Sequence, residues 1–430
     1  MLKIIDLRKG IFERRLKGLS REVSYSYPRI ESYVRQIVEA VRKDGDKALF
    51  RYTKKFDKVE LTPKTVKVSN KEIETAEALV SEEVKSNLAL AAERIKDFHE
   101  RKLPQEHTFT DSLGNELGWV IRPIEKVGVY VPGGKAAYPS TVLMTVIPAK
   151  VAGVKEVFLV TPCPYGQINP AVLVAAYMAG VSAVYKVGGA QAIAALAFGA
   201  ESIPKVDKIV GPGNIYVSIA KKLVFGNVDI DMIAGPSEVL VISDGSVPAE
   251  WVASDLLAQA EHDEMAVAVL VTNSLEFAKQ VKREVIKRLK KLERRRIAQV
   301  AIRNQGRIFV VNTLDDAISV SNAIAPEHLE LCVEDPKAIL PKVKHAGAIF
   351  LGSLSTEAFG DYIAGPSHVL PTSGAARFSS PLSVYAFLRM PSIISVSQSG
   401  FKELGDSVIN LAYSEGLEAH ALSVKVRLDG

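Results

Sequence analysis

From Val127 onward, short β-branched runs alternate with Ala-rich stretches whose apolar residues recur at helical spacing. The runs VGVYVP, EVFLVT, AVYKVG and DKIVGP predict strands, and STVLMTVIPAKVAG, NPAVLVAAYMAG, GAQAIAALAFG and NIYVSIAKKLVFG predict the helices that accompany them. Strands apolar on both faces and separated by helices call for a parallel sheet covered on each side. A second series repeats the rhythm. Its strands are VLVIS, AVAVLVT, RIFVVN, HLELCV and AIFLG, and its helices are PAEWVASDLLAQAEH, one long basic helix, DDAISVSNAIA and PKAILPKVKHAG. Residues before about 125 are charged and helix-patterned, most clearly from Glu83 to Leu103, and predict a helical layer laid on the rest. Past about Ser380 strand signals thin out, and a helix-like segment around Ser414 to Val424 suggests an arm for another subunit.

The heptapeptide AGPSxVL occurs twice, as Ala234 to Leu240 and as Ala364 to Leu370, with Glu238 and His368 in its variable slot. Six identities in seven positions point to two related α/β units, each expected to end a strand with the same turn and to face the other across a cleft. Proline fixes φ and glycine accepts unusual backbone, so the serine that follows is presented one way. The expected fold is α/β: two similar incomplete Rossmann-like units related by duplication, an N-terminal helical layer and a small C-terminal arm. The expected boundaries are 1–125 for the helical segment, 126–235 and 236–380 for the two units, and 381–430 for the arm.

Composition narrows the class. With 430 residues, 47% hydrophobic and 24% charged, the chain can bury more than one core. No apolar run approaches the length of a membrane span, the longest being Ala171 to Val181, and the N-terminus carries charges where a signal peptide needs an apolar block. A cytoplasmic protein with no membrane partner is expected. The net charge of +5 is local: Lys279 to Arg296 holds ten basic and two acidic residues, which leaves the remainder of the chain negative. Phe277, Val281, Val285, Leu289 and Leu292 supply the apolar stripe of that helix, so its basic residues form a solvated or subunit-contacting face, and no nucleic-acid partner is expected. Cys163 and Cys332 alone make neither a disulfide framework nor a four-cysteine zinc site, and both read as packed thiols.

Candidate chemistry gathers at a few positions. Gln259 and His262 are three apart at a helix end, so both project from one face. Asp361 lies seven residues before His368 on a Gly-rich segment, Glu327 and His328 enter a strand from a Pro-fixed turn, and the tail adds Glu415 and His420. A divalent metal of borderline softness would accept His262 and His420 through nitrogen and Asp361 and Gln259 through oxygen. The segment Gly211 to Tyr216 has only two of the glycines of a dinucleotide fingerprint. Even so, Tyr130, Gln191 and Asn214 all fall at the carboxyl ends of predicted strands, where they could line one crevice.

These residues sit in VGVYVPGG, VGGAQAIAALAFGAESI, VGPGN, IDMIAGPSEVLVI, DLLAQAEHD, APEHLEL and GDYIAGPSHVLPTSGAARFSS, in that order. Over nearly the whole chain this pattern resembles the histidinol dehydrogenase family. The resemblance implies Zn²⁺ bound by Gln259, His262, Asp361 and His420, with His420 lent by the second subunit of a homodimer. It implies Glu327 and His328 as the acid–base pair, and Ser237, His368 and Glu415 as contacts to the substrate L-histidinol alongside the zinc ligands and that pair. Tyr130, Gln191 and Asn214 would touch NAD. The implied reaction takes L-histidinol through the aldehyde to L-histidine with reduction of two NAD⁺. Two rivals make different demands: an aldehyde-dehydrogenase-like enzyme needs an activated cysteine in the cleft, and a nucleic-acid-binding protein needs the basic helix 279–296.

Overall fold

The computed structural model describes residues 2–9, 12–19, 28–133 and 138–429. Two parallel sheets form its two cores. The first has five strands in the order Ala183–Tyr185, Glu156–Val160, Lys126–Tyr130, Lys208–Val210 and Asp229–Ile230. The second has six, in the order Lys3–Asp6, Arg307–Val310, Val267–Thr272, Glu238–Ser243, His328–Cys332 and Ala348–Leu351. Counted along the chain from Lys126 and from Glu238, both sheets have the order 3-2-1-4-5, so the repeat extends from the heptapeptide to the topology. The N-terminal strand Lys3–Asp6 is an addition to the edge of the second sheet.

The strands are continuous apolar runs because helices cover both faces. Val239 and Val241 point to one core of the second sheet with the helices Ala249–Ala260 and Leu275–Leu289, while Leu240 and Ile242 point to the other with the helix Leu314–Ile324. Each fully buried Val, Ile or Leu contributes about 1.5–3 kcal/mol, so alternate-face burial fixes the register of these strands. The N-terminal helices divide between the two faces of the first sheet. The helix Pro28–Asp57 packs through Val34, Ile37 and Val41 on the side of Gly189–Phe198, and Glu82–Glu100 packs through Leu88, Ala91 and Ile95 on the side of Pro139–Val151.

Several expectations from sequence are corrected. The first AGPS turn does not end a strand; it leads into Glu238–Ser243, and the second follows the short helix Glu357–Tyr362. The two regions nonetheless touch, for the Gly235 N–H donates to Thr372 Oγ1 at 2.6 Å. The basic stretch is two helices, Leu275–Leu289 and Arg295–Asn304, and its cations are partly matched by Glu250, Glu276 and Glu284. The helix predicted over PKAILPKVKHAG is a single turn, Pro336–Ile339, because Pro341 has no N–H with which to continue it. Small antiparallel pairings escaped notice: Ser392–Ser395 joins Glu116–Trp119 and His107–Thr110, and Leu388–Arg389 joins Arg122–Pro123. The tail then forms two helices, Gln398–Ser414 and Glu418–Leu428. Among the described residues no helix is long and apolar enough to cross a membrane.

Candidate active site

In the first sheet the strand order reverses between Lys126–Tyr130 and Lys208–Val210. A crevice opens at such a switch point, beyond the carboxyl ends of the strands. Gly211, directly after the second of these strands, is clasped on both sides. Its N–H donates to Asp231 Oδ2 at 2.7 Å, its carbonyl accepts from Lys221 Nζ at 3.0 Å, and Lys221 pairs with Asp231 in a contact almost wholly shielded from solvent. Its φ of 110° and the nearness of the Tyr130 carbonyl, into which a Cβ would collide, leave room only for glycine. Asn214 then caps the helix Ile215–Val224 by accepting from the N–H groups of Tyr216 and Val217.

The Gly189 N–H donates to the Tyr130 hydroxyl at 3.1 Å, and burial pushes that phenol up to about 12. Tyr130 is thus packed beneath the crevice, with its hydroxyl directed to a helix N-terminus. Gln191 is buried with neither amide atom partnered. Such an orphan in a native-like site points to a missing ligand or water.

The second sheet reverses order between Glu238–Ser243 and His328–Cys332, but its candidate residues gather at the opposite, amino ends of the strands. Asp361 is not on an open Gly-rich segment; it rides the helix Glu357–Tyr362. His328 Nδ1 lies 2.9 Å from the Glu238 carbonyl, which can only accept, so Nδ1 carries the proton and Nε2 keeps its lone pair. That Nε2 has no hydrogen-bond partner and stands 3.9 Å from Asp361 Oδ1, and His328 is among the residues that line a cavity of about 600 Å³. Burial pushes the imidazole down to about 4, which keeps it neutral near pH 7. Glu327 Oε2 accepts from the Glu238 N–H at 2.8 Å, and burial beside Glu238 and Asp361 raises its carboxyl well above the usual range.

His368 bridges the two sheets. Its Nδ1 lies 2.9 Å from the Asp361 carbonyl and its Nε2 3.1 Å from Thr141 Oγ1, at the start of the helix that follows the first crevice. His262 comes just after the helix Ala249–Ala260, and its ring and the carboxylates of Glu357 and Asp361 offer atoms within 4.8 Å of one another. Gln259, fully buried, has neither amide atom bonded. Burial lifts Asp361 to about 7, and burial together with its acidic neighbours raises Glu357 well above the usual carboxylate range. Concentrated buried carboxylates beside an imidazole and an unpaired amide suit an oxygen- and nitrogen-liganded cation.

Ser237 is half-buried at the head of the strand Glu238–Ser243. Glu415 and His420 are exposed on the arm, outside the cluster formed by the single chain. Sequence reasoning missed Glu357 and Thr141; Glu357 was within reach, one helical turn before Asp361. Cys163 and Cys332 are buried, and burial drives both thiols upward, Cys163 to about 12, so neither is an activated nucleophile.

A neutral imidazole beside a cavity, in a chain that also carries a switch-point crevice, is compatible with a nucleotide-dependent oxidoreductase. The family model described as histidinol dehydrogenase matches residues 20–428. A histidinol dehydrogenase of Syntrophotalea carbinolica is 55% identical over 93% of each chain, and one of Aquifex aeolicus is 54% identical over 99% of each. The crystal structure of histidinol dehydrogenase from Elizabethkingia anophelis superposes with a TM-score of 0.94 at 39% identity, covering 100% of this chain and 98% of that one. The chain therefore belongs to the histidinol dehydrogenase family, a family of NAD-dependent oxidoreductases.

Proposed function

We propose that the protein oxidises L-histidinol through L-histidinaldehyde to L-histidine, consuming one water and reducing two NAD⁺. The observation that supports this reading, beside family membership, is His328, a cavity-lining residue whose Nε2 has no hydrogen-bond partner and lies 3.9 Å from Asp361 Oδ1. His328 takes the hydroxyl proton at Nε2 while its Nδ1–H stays anchored to the Glu238 carbonyl, which keeps the ring aimed throughout. Glu327, held by the Glu238 N–H, accepts a proton from the water that hydrates the aldehyde. Keeping both stages in one site limits loss of the aldehyde.

Gln259, His262 and Asp361 would hold Zn²⁺, with Glu357 beside them. When bound, the ion supplies Lewis-acid charge and an anchor for the imidazole and amine of the substrate, and NAD supplies the hydride acceptor. Tyr130, Gln191 and Asn214 would form the NAD side, with Asn214 at the N-terminus of the helix Ile215–Val224, where a phosphate would be favoured. Ser237, His368 and Glu415 would contact substrate.

His420 and Glu415 would reach the site of a second copy in a homodimer. Supporting this, the arm exposes Leu404, Val408, Leu411, Leu417, Leu422 and Val426, an apolar set that a lone chain leaves in water. The units proposed are 126–235 for cofactor, 236–380 for metal and catalysis, and 381–430 for the arm, in a cytoplasmic enzyme. The test is to count NADH formed per histidinol consumed and zinc per chain on one sample. Two NADH and one zinc are expected; a single NADH with aldehyde accumulating would overturn the four-electron reading.

A further inference from the structure

Below the cluster lies a second row of acidic side chains. Asp255 is four residues before Gln259 on one helix, Glu357 is four before Asp361 on another, and Glu330 is two after His328 on a strand. Four residues on a helix and two on a strand both return to the same face, so each acid lies one period from a site residue. We propose that Asp255, Glu330 and Glu357 form a supporting tier, in which Glu330 is a positioning residue that sets Asp361 and Gln259 relative to His328. This rests on the reading of Gln259, His262 and Asp361 as metal ligands.

Glu330 is fully buried on the strand His328–Cys332, one in from the edge of the second sheet. Its Oε1 accepts from the backbone N–H of Glu357 at 2.7 Å. That N–H opens the helix carrying Asp361, and the residue that should cap this helix, Thr356, makes no side-chain bond to it. A carboxylate reaching over from a strand therefore replaces the local cap and ties the helix to the strand that begins with His328. Toward the other side, oxygens of Glu330 and Asp255 and the sulfur of Cys332 lie within 4.8 Å of one another. Burial raises both carboxyls, Asp255 to about 6 and Glu330, which Asp255 also repels, to about 8. Asp255 belongs to the helix whose last turn carries Gln259. One side chain thereby couples the three elements that present Gln259, His328 and Asp361, and a shift of a few tenths of an ångström in any of them would alter how a cation is held.

The experiment uses the full-length protein with Zn²⁺ and Co²⁺ as probes, reading Zn²⁺ affinity by chelator competition and the visible absorption of the Co²⁺ form. Glu330→Gln keeps an oxygen for the Glu357 N–H and a donor for Asp255, and should stay within about threefold of the parent affinity with an unchanged Co²⁺ spectrum. Glu330→Leu should bind Zn²⁺ about 10–100-fold more weakly and shift the Co²⁺ bands. Asp255→Leu, which leaves the Glu357 bond in place, gives a second measure should Glu330→Leu fail to fold, and should also shift the Co²⁺ bands. Parent-like affinity and spectra in the folded leucine variants would overturn the supporting role, as would a Glu330→Gln variant as impaired as Glu330→Leu. A parent protein that takes up neither ion would instead overturn the metal reading itself.

Discussion

The two sheets share one strand order yet work from opposite ends. The first offers the carboxyl ends of its strands, where the following helices begin, and the second offers the amino ends, where the preceding helices finish. Helix N-termini carry partial positive charge and C-termini partial negative charge. The first unit therefore points the starts of Gly189–Phe198 and Ile215–Val224 at its crevice, which suits an anionic dinucleotide. The second brings the end of Ala249–Ala260 to His262 and Asp361, which suits a cation. On the proposed function, duplication followed by use of opposite ends would give a cleft with one face for phosphates and one for a metal.

If the division holds, lesions on one side should spare the other. The largest effect is expected from His328→Asn, which should lower turnover by about 10²–10⁴-fold while leaving NAD affinity and zinc content unchanged. Steady-state rates, NAD titration and metal analysis check it, and a parallel loss of NAD binding would break the division. On the first sheet, Lys221→Met strands Asp231 without its partner in a buried place and should cost about 3–5 kcal/mol of unfolding free energy. By loosening Gly211 it should also raise KM for NAD more than it changes kcat at saturation, as denaturant unfolding and initial rates would show.

Without metal, the second site should be at odds with its own stability. Asp361 has a folded pKa of about 7, above its unfolded value near 4, so its contribution is favourable at low pH and is lost as pH rises from about 4 through 7. Metal-stripped Asp361→Asn should therefore be more stable than the parent at pH 8, by about 4 kcal/mol, with the gain vanishing near pH 4. Urea midpoints at the two pH values decide it. The smallest effect is expected from Glu327→Gln, which should slow aldehyde oxidation about tenfold more than alcohol oxidation, measured by supplying each substrate separately. Equal slowing would place Glu327 in both stages.

Legibility from sequence followed burial. Val239 to Ile242 and Val157 to Val160 read as strands because every side chain meets a core, whereas His107–Thr110 is exposed along its length and leaves no apolar pattern to recognise. The break between the two basic helices has no proline or glycine to announce it, only the turn around Lys290 to Arg294. At the site, Gln259 with His262 and Glu327 with His328 could be paired because each pair is local. Asp255, Glu330 and Glu357 could not, since their association depends on two helices and a strand meeting, and nothing in the local sequence of any one of them requires the other two.

The edge strand Lys3–Asp6 has a consequence for how the molecule is made. It pairs with Arg307–Val310, so these residues must wait for about three hundred more to be synthesised before their partner exists. The sheet between Lys126 and Ile230 is assembled from one contiguous stretch and can form during translation. The half that carries His328 closes later, so a nascent chain cut short before residue 307 would hold the strands of the first sheet but not His328.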